Sequence, residues 1–84
     1  LAFIGVSGCS VDAGLTCGTE GDMLVKRLVI QKARTSVAMC GNEKFSCLMP
    51  YTFAQFSDVD YMICDTNVPE TIAHAAKQAD MKIL

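Results

Sequence analysis

Short apolar runs, separated by polar and turn-forming residues, predict four strands in this chain. Leu1–Val6 is an unbroken apolar run, which is typical of a strand covered on both faces of a sheet. Ser36–Cys40 and Tyr61–Cys64 are two further runs of strand length, and Met81–Leu84 forms a last short one. Between these runs, the apolar residues either recur at helical spacing or have no regular period.

A first helix is predicted after the polar stretch that follows Leu1–Val6. Thr19 with Asp22 three residues later resembles the start of a capped helix, and Asp22 with Lys26 is a favourable pair at a spacing of four residues. Apolar residues then recur at helical spacing, namely Leu24, Val25, Leu28 and Val29. We expect the basic residues of this helix to lie on a solvated surface.

A second helix is predicted to begin at Pro69 and Glu70, with proline in the first turn and an acid near the positive end of the dipole. Its buried stripe consists of Ile72, Ala73, Ala76 and Ala79. Residues 45–56 are rich in aromatic side chains but lack a helical period, so we expect a segment that covers the sheet, with a short edge strand around Tyr51.

The predicted fold is α/β, with a layered, mostly parallel sheet and flanking helices in the order β-α-β-(covering segment)-β-α-β. Because parallel strands share a direction, Ser7, Lys44 and Asp65 should meet at the sheet edge where the strands end. A lysine there suits an anion, although most loop lysines are simply solvated. Asp65 is equally suited to a turn that precedes a helix.

Composition narrows the classes of function. The chain has 84 residues, which is one small domain, and its start within an apolar run suggests a piece of a longer protein. With a net charge of −2 and seven dispersed Lys and Arg residues, the chain has too little positive charge to bind the phosphate backbone of DNA tightly. Without a span of about 20 apolar residues or a signal peptide, we expect a soluble, cytoplasmic protein with no membrane contact.

The five cysteines have no short spacing of the kind that zinc sites and redox dithiols use, so we expect no disulfide framework, no metal site and no cofactor. Cys40 and Cys64 fall at strand ends, where a small buried hydrophobic role is expected. Cys9 lies in the presumed site loop after the first strand and is the cysteine to test for reactivity.

Five separated blocks of the sequence resemble the C-terminal sensor domain of DeoR-family transcriptional repressors, a family that includes the lactose phosphotransferase system repressor. The blocks are Phe3–Gly8, Gly14–Thr16, Val25–Arg27, Lys44–Phe45 and Phe56–Asp60 with the later Asp65. The resemblance implies that residues 1–84 are the C-terminal part of a sensor domain resembling ribose-5-phosphate isomerase in fold. It also implies that a winged helix-turn-helix DNA-binding domain lies outside this chain.

The resemblance implies a sensor that binds a phosphorylated sugar or related metabolite and thereby controls operator binding by the separate domain. Family members usually act as homo-oligomers. The effector-binding residues that it implies here, together with the predicted strand-end residues, are Gly5, Ser7, Gly8, Ser10, Thr16, Lys44 and Asp65. Gly41 stands where the family has an aspartate three residues before the lysine.

Two other functions are weighed against this one. A sugar-phosphate isomerase needs a carboxylate base beside the reacting carbons. The isomerase has an Asp-Gly-Ala-Asp-Glu block where this chain has Ile4–Gly8, and Asp12 is the nearby carboxylate, so no enzyme activity is expected. An oligomerisation module that binds no ligand is the second alternative.

Overall fold

The computed structural model of the protein describes residues 1–65 and 67–84, except for the side chain of Ser46. Seven strands are present within this range: β1 (Ala2–Gly5), β2 (Gly8–Ser10), β3 (Gly14–Cys17), β4 (Ser36–Cys40), β5 (Tyr51–Ala54), β6 (Tyr61–Cys64) and β7 (Lys82–Ile83). The helices of the same range are α1 (Glu20–Lys32), α2 (Glu70–Gln78), a first 3₁₀ helix (Asn42–Ser46) and a second 3₁₀ helix (Phe56–Asp58).

The larger sheet has four parallel strands in the order β1-β4-β6-β7. The predicted α/β class, with a parallel sheet and two helices, is therefore confirmed. Strands that advance in one direction across a sheet through right-handed crossovers have all their connections on one face. This inner face carries the core row Ile4, Ala38 and Met62, which are register partners with exposed fractions of 4% or less.

The opposite, outer face of this sheet is partly exposed, although Val37 on this face is buried. Its register row is Gly5, Met39 and Ile63, and the side chains of Met39 and Ile63 are 43% and 38% exposed. Phe3 in β1 is 56% exposed. The expectation that Leu1–Val6 is covered on both faces is therefore wrong, because only Ile4 and Val6 of this run are buried.

A second sheet of three antiparallel strands, in the order β2-β3-β5, replaces the loop expected between the first strand and the first helix. Gly14 makes the β2 to β3 hairpin feasible, because it has a positive φ of 78° and a Cβ there would lie 2.6 Å from the carbonyl oxygen of Ala54. The predicted element order lacked these strands, apart from the edge strand around Tyr51.

Helix α1 begins where it was expected but faces the protein differently. Thr19 is its N-cap, and the Thr19 Oγ1 accepts from the Asp22 amide at 3.1 Å. The apolar residues Leu24, Val25, Leu28 and Val29 are between 38% and 61% exposed. We call these four residues the α1 apolar strip. The side of α1 that packs on the core carries Met23 and Ile30, both partly buried.

Helix α2 packs on the core through Ile72 and Ala76, which are buried as predicted, whereas Ala73 is exposed. The helix ends at Gln78 with Ala79 as its C-cap, and Asp80 has a positive φ of 63° as the chain turns into β7. Neither described helix combines the length and the apolar character that crossing a membrane requires.

Candidate functional site at the carboxyl edge

Strands β1, β4 and β6 end at the same edge of the four-stranded sheet. We call this region the carboxyl edge and define it by residues Gly5–Ser7, Gly41–Lys44 and Asp65. Its geometry follows from the parallel register, in which Gly5 is level with Met39, and Cys40 with Cys64. Open α/β sheets place ligand-binding groups at this end of their strands.

A hydrogen bond joins two parts of the carboxyl edge. The backbone amide of Asn42 donates to Asp65 Oδ1 at 2.8 Å, so the end of β6 holds the start of the first 3₁₀ helix. That helix is closed by the Lys44 amide, which donates to the Gly41 carbonyl at 3.0 Å. Lys44 is therefore carried on a short helix fixed at the end of β4, and its side chain is half-buried.

Lys44 and Asp65 bring opposite charges to one neighbourhood. Both act on the thiol of Cys40: Lys44 lowers the pKa of that thiol and Asp65 raises it. Electrostatic effects on a common group require both charges to lie near it. Glu43 raises that pKa as well, so the edge offers one cationic side chain, Lys44, and two anionic ones, Glu43 and Asp65, close to the end of β4.

The predicted residues of the first strand and hairpin occupy different places. Ser7 follows β1, and its amide donates to the Thr16 carbonyl at 3.2 Å. Ser10 Oγ accepts from the Ala13 amide at 3.0 Å within the hairpin turn. Buried Thr16 uses Oγ1 to accept from the Met49 amide at 3.2 Å. The hydroxyl groups of Ser10 and Thr16 thus stabilise the hairpin and the segment that follows the first 3₁₀ helix.

Gly8 is a point of close backbone approach. A Cβ at this position would lie 2.6 Å from Thr16 Oγ1 and 2.7 Å from the Cys47 carbonyl oxygen. Because real Cβ atoms do not approach so closely, a larger residue would separate β2 from the residues that follow Lys44. Gly8 therefore controls how closely the hairpin and the first 3₁₀ helix pack.

The side chain of Lys26 also lies at this end of β1, although the sequence predicted it to lie on a solvated surface. Its Nζ donates to the Gly5 carbonyl at 2.7 Å, pairs with Asp22 Oδ2 at 3.2 Å and lies 5.1 Å from the centre of the Phe53 ring. The side chain is only 17% exposed. The pairing with Asp22 was predicted, but the packing against Gly5 and Phe53 was not.

The neighbouring Arg27 is also engaged with the protein, because its guanidinium donates to the Thr52 carbonyl at 2.9 Å. The spacing of Lys26 and Arg27 after a capped helix start was visible in the sequence. What it could not show is that the polar side of α1 meets β1 and β5 while the α1 apolar strip remains exposed.

Cys40 is 3% exposed and belongs to the core, as predicted, whereas Cys9 lies in strand β2 and not in a loop. Cys9 is completely buried, and hydrogen bonding with Cys40 together with burial raises the pKa of its thiol. The same hydrogen bond lowers the pKa of Cys40. Burial raises the pKa of Cys64.

Comparison with known proteins identifies the family. A sequence model described as "DeoR C terminal sensor domain" matches residues 1–66. The chain belongs to the DeoR C-terminal sensor domain family. The predicted resemblance is therefore confirmed. The chain is a sensor domain of the kind found in DeoR-family transcriptional regulators.

Individual relatives of the sensor domain agree with this assignment. The chain is 32% identical over 82 residues to the sgc region transcriptional regulator of Escherichia coli (strain K12), covering 98% of this chain and 32% of the relative. It is 36% identical over 64 residues to the HTH-type transcriptional repressor GlcR of Bacillus subtilis (strain 168), covering 76% of this chain and 24% of that repressor. The sensor domain chain thus spans a third or less of the length of these relatives.

Proposed function

We propose that this sensor domain binds a phosphorylated sugar or a related anionic metabolite at the carboxyl edge, and that binding controls a separate DNA-binding domain. The observation that carries the proposal is the hydrogen bond from the Asn42 amide to Asp65, which fixes the 3₁₀ helix bearing Lys44 at the end of β4. Because the backbone that carries Lys44 is already fixed, less conformational entropy is lost when this lysine pairs with an anion.

Each predicted residue has a distinct role in this proposal. Lys44 pairs with the phosphate dianion, and Ser7 at the end of β1 supplies a hydroxyl group to the bound metabolite. Asp65 holds the helix and faces the sugar hydroxyls. Gly8 keeps the backbone close, and Gly5 lies at the end of β1, where its carbonyl accepts from Lys26. Ser10 and Thr16 maintain the hairpin through the hydrogen bonds described above.

Operator binding is proposed for a domain outside these residues. The relative GlcR is named as an HTH-type transcriptional repressor, and the chain covers only 24% of its length. The sensor itself has a net charge of −2, which disfavours contact with the phosphates of DNA. Effector binding would therefore loosen operator binding through a change that passes from sensor to DNA-binding domain.

We further propose that the domain performs no catalysis. Its relatives are transcriptional regulators. Asp12, the carboxylate close in sequence to the first strand, is exposed in the hairpin turn. A general base needs to lie within hydrogen-bonding distance of the proton that it removes, and a partner must stabilise the oxyanion. Turnover of an aldose phosphate to the ketose by the intact regulator would contradict this proposal.

Self-association is proposed for the regulator, with the α1 apolar strip as a contact. Its four side chains are exposed in a single helix, and burying large apolar side chains between copies is favourable. The exposed edge of β1 offers a second surface for pairing, because β1 ends the strand order of the parallel sheet. A cytoplasmic location is proposed as well, since all five cysteines are free thiols.

The proposed function is tested by thermal melting of the intact regulator against a panel of sugar phosphates and their unphosphorylated sugars. A true effector at a hundredfold its dissociation constant should add about 2.7 kcal/mol of stability. Lys44→Ala should abolish the shift, and Lys77→Ala in the last turn of α2 is the matched control. A shift that survives Lys44→Ala, or the absence of any shift across the panel, would contradict the proposal.

A further inference from the structure

A groove of about 600 Å³ lies between α1 and β5, and no residue of the carboxyl edge lines it. One side consists of Arg27, Ile30 and Gln31 of α1, and the other of residues 52–55 together with Asp58 of the second 3₁₀ helix. Small-molecule sites in proteins have volumes of about 300–1,000 Å³. The groove is therefore large enough for a ligand of its own.

The side of α1 that borders the groove is not the α1 apolar strip. Arg27, Ile30 and Gln31 are spaced three and four positions apart, so their side chains share one side of the helix. With 3.6 residues per turn, the strip is centred on a different side. A contact between copies through the strip would therefore leave the groove accessible.

Arg27 brings an anchored cation to the groove. Its Nη2 donates to the Thr52 carbonyl at 2.9 Å. A guanidinium has five N–H donors, and two neighbouring ones can bind both oxygens of a carboxylate. In the part of the chain that the structure describes, Arg27 uses only Nη2 in a hydrogen bond, so most of its donors remain for a bound anion.

The second 3₁₀ helix brings polar groups to the other side of the groove. The Gln55 amide donates to Asp58 Oδ2 at 2.9 Å, and the Asp58 amide donates to the Gln55 carbonyl at 3.0 Å. These two hydrogen bonds fix the corner between β5 and the second 3₁₀ helix. The carboxylate of Asp58 and, from α1, the carboxamide of Gln31 therefore offer acceptors and a donor of the kind that bind hydroxyl groups.

The lining also includes apolar side chains. Phe53 and Ala54 are only 2% and 5% exposed, and Ile30 is partly buried against the core. A combination of apolar surface with a few placed polar groups is typical of small-molecule sites. The apolar part can receive the C–H groups of a ligand whose polar groups reach Arg27 and Asp58.

The charges favour a singly charged anion over a dianion. Arg27 and Asp58 are the ionisable residues that line the groove, so the lining has no net charge. The neighbouring ion pair of Lys26 and Asp22, beside the Phe53 ring, adds none. Arg27 alone can neutralise a carboxylate, whereas a phosphate dianion would keep one unpaired negative charge in a groove that also contains Asp58.

We propose that the groove between α1 and β5 binds a small hydroxylated monocarboxylate, which is the chemical class of the sugar acids. The carboxylate pairs with the guanidinium of Arg27, and the hydroxyl groups bind to Gln31 and Asp58. The C–H groups of the ligand lie against Phe53. This site is separate from the carboxyl edge, so the inference does not depend on the effector proposed for Lys44.

The test is isothermal titration calorimetry of the intact regulator with gluconate, glucuronate and glycerate. At least one of these acids should bind at millimolar concentration, and the neutral sugar glucose should bind more weakly. Arg27→Gln should weaken the affinity about tenfold or more, because a charge-assisted contact is lost. Arg34→Gln, an exposed arginine beyond α1 and outside the groove, is the matched control and should leave the affinity unchanged.

A second variant keeps the test independent of the hydrogen bond between Arg27 and Thr52. Gln31 is exposed, so Gln31→Ala should leave the fold intact and weaken the affinity about two- to tenfold. Binding should persist in Lys44→Ala, which separates this site from the carboxyl edge. In that variant, glucose 6-phosphate should bind more weakly than the acid.

Three results would overturn the proposal. The first is the absence of binding for all three acids, as expected if another segment of the regulator or a second copy fills the groove. The second is an affinity that Lys44→Ala abolishes and Arg27→Gln leaves unchanged, because the acid would then occupy the carboxyl edge. The third is equal binding of glucose 6-phosphate and the acid to Lys44→Ala, which would contradict the assignment to a monocarboxylate.

Discussion

The carboxylate of Asp65 and the backbone amide of Asn42 are joined by a hydrogen bond of 2.8 Å between Oδ1 and N. The bond connects β6 to the segment after β4, two parts of the chain that are separated by 23 positions. It also gives Asp65 a structural role at the carboxyl edge, in addition to the turn role that its sequence position suggested.

Asp65→Ala should loosen the first 3₁₀ helix. The loss of one exposed, charge-assisted hydrogen bond is expected to cost about 1 kcal/mol of unfolding free energy. Asp65→Asn keeps an acceptor oxygen and should retain most of that stability. Chemical denaturation measures both, and Asp12→Ala in the hairpin turn is a control for the lost charge. Equal destabilisation by Asp65→Ala and Asp12→Ala would show that the hydrogen bond does not stabilise the protein.

Lys26→Met should destabilise the domain by about 2 kcal/mol, because it removes a charge-assisted hydrogen bond to Gly5 and a cation–π contact with Phe53. Methionine retains much of the aliphatic volume, so the loss reports on the ammonium group. Lys32→Met in the last turn of α1 is the matched control and should change stability by only about 0.5 kcal/mol or less. Denaturant midpoints that shift equally for the two variants would contradict this account.

Two glycine substitutions should have opposite effects on stability. Gly8→Ala places a Cβ 2.6 Å from Thr16 Oγ1 and should destabilise the domain by about 1–3 kcal/mol through overpacking. Gly21→Ala lies in α1, where a Cβ would meet nothing within 4 Å, and should stabilise it by about 0.5–1 kcal/mol. Thermal melting compares the two, and a stabilising Gly8→Ala would show that the hairpin packs less tightly than described.

Leu28→Glu should weaken self-association of the intact regulator if the α1 apolar strip is a contact between copies. Leu28 is 53% exposed, so the change should leave the fold intact while it places a charge in the proposed interface. Sedimentation velocity would show a shift toward smaller species. Gln31→Glu, which adds a charge to an exposed position of the same helix outside the strip, is the control. A sedimentation profile of Leu28→Glu that matches the unaltered protein would exclude the strip as a contact.

Local signals in the sequence determined several elements of this protein. Thr19 predicted the start of α1, because a threonine side chain can satisfy a free amide of the first turn. Pro69 predicted the start of α2 for a related reason, since proline has no amide to leave unsatisfied. The apolar runs of β4 and β6 gave the parallel strands. From these the carboxyl edge, with Lys44 and Asp65 at strand ends, could be anticipated.

The tertiary structure alone decided which sides of the elements are buried. The strip around Leu24 and Leu28 has the period of a core face, yet these side chains are exposed, because periodicity reveals an amphipathic helix without identifying the surface that covers it. The hairpin of β2 and β3 was hidden for another reason. Its strands consist largely of Gly, Ser, Thr and Cys, small residues that give a weak strand signal on their own. Cys9 lies in that hairpin, and so its complete burial could be found only after the two sheets were packed together.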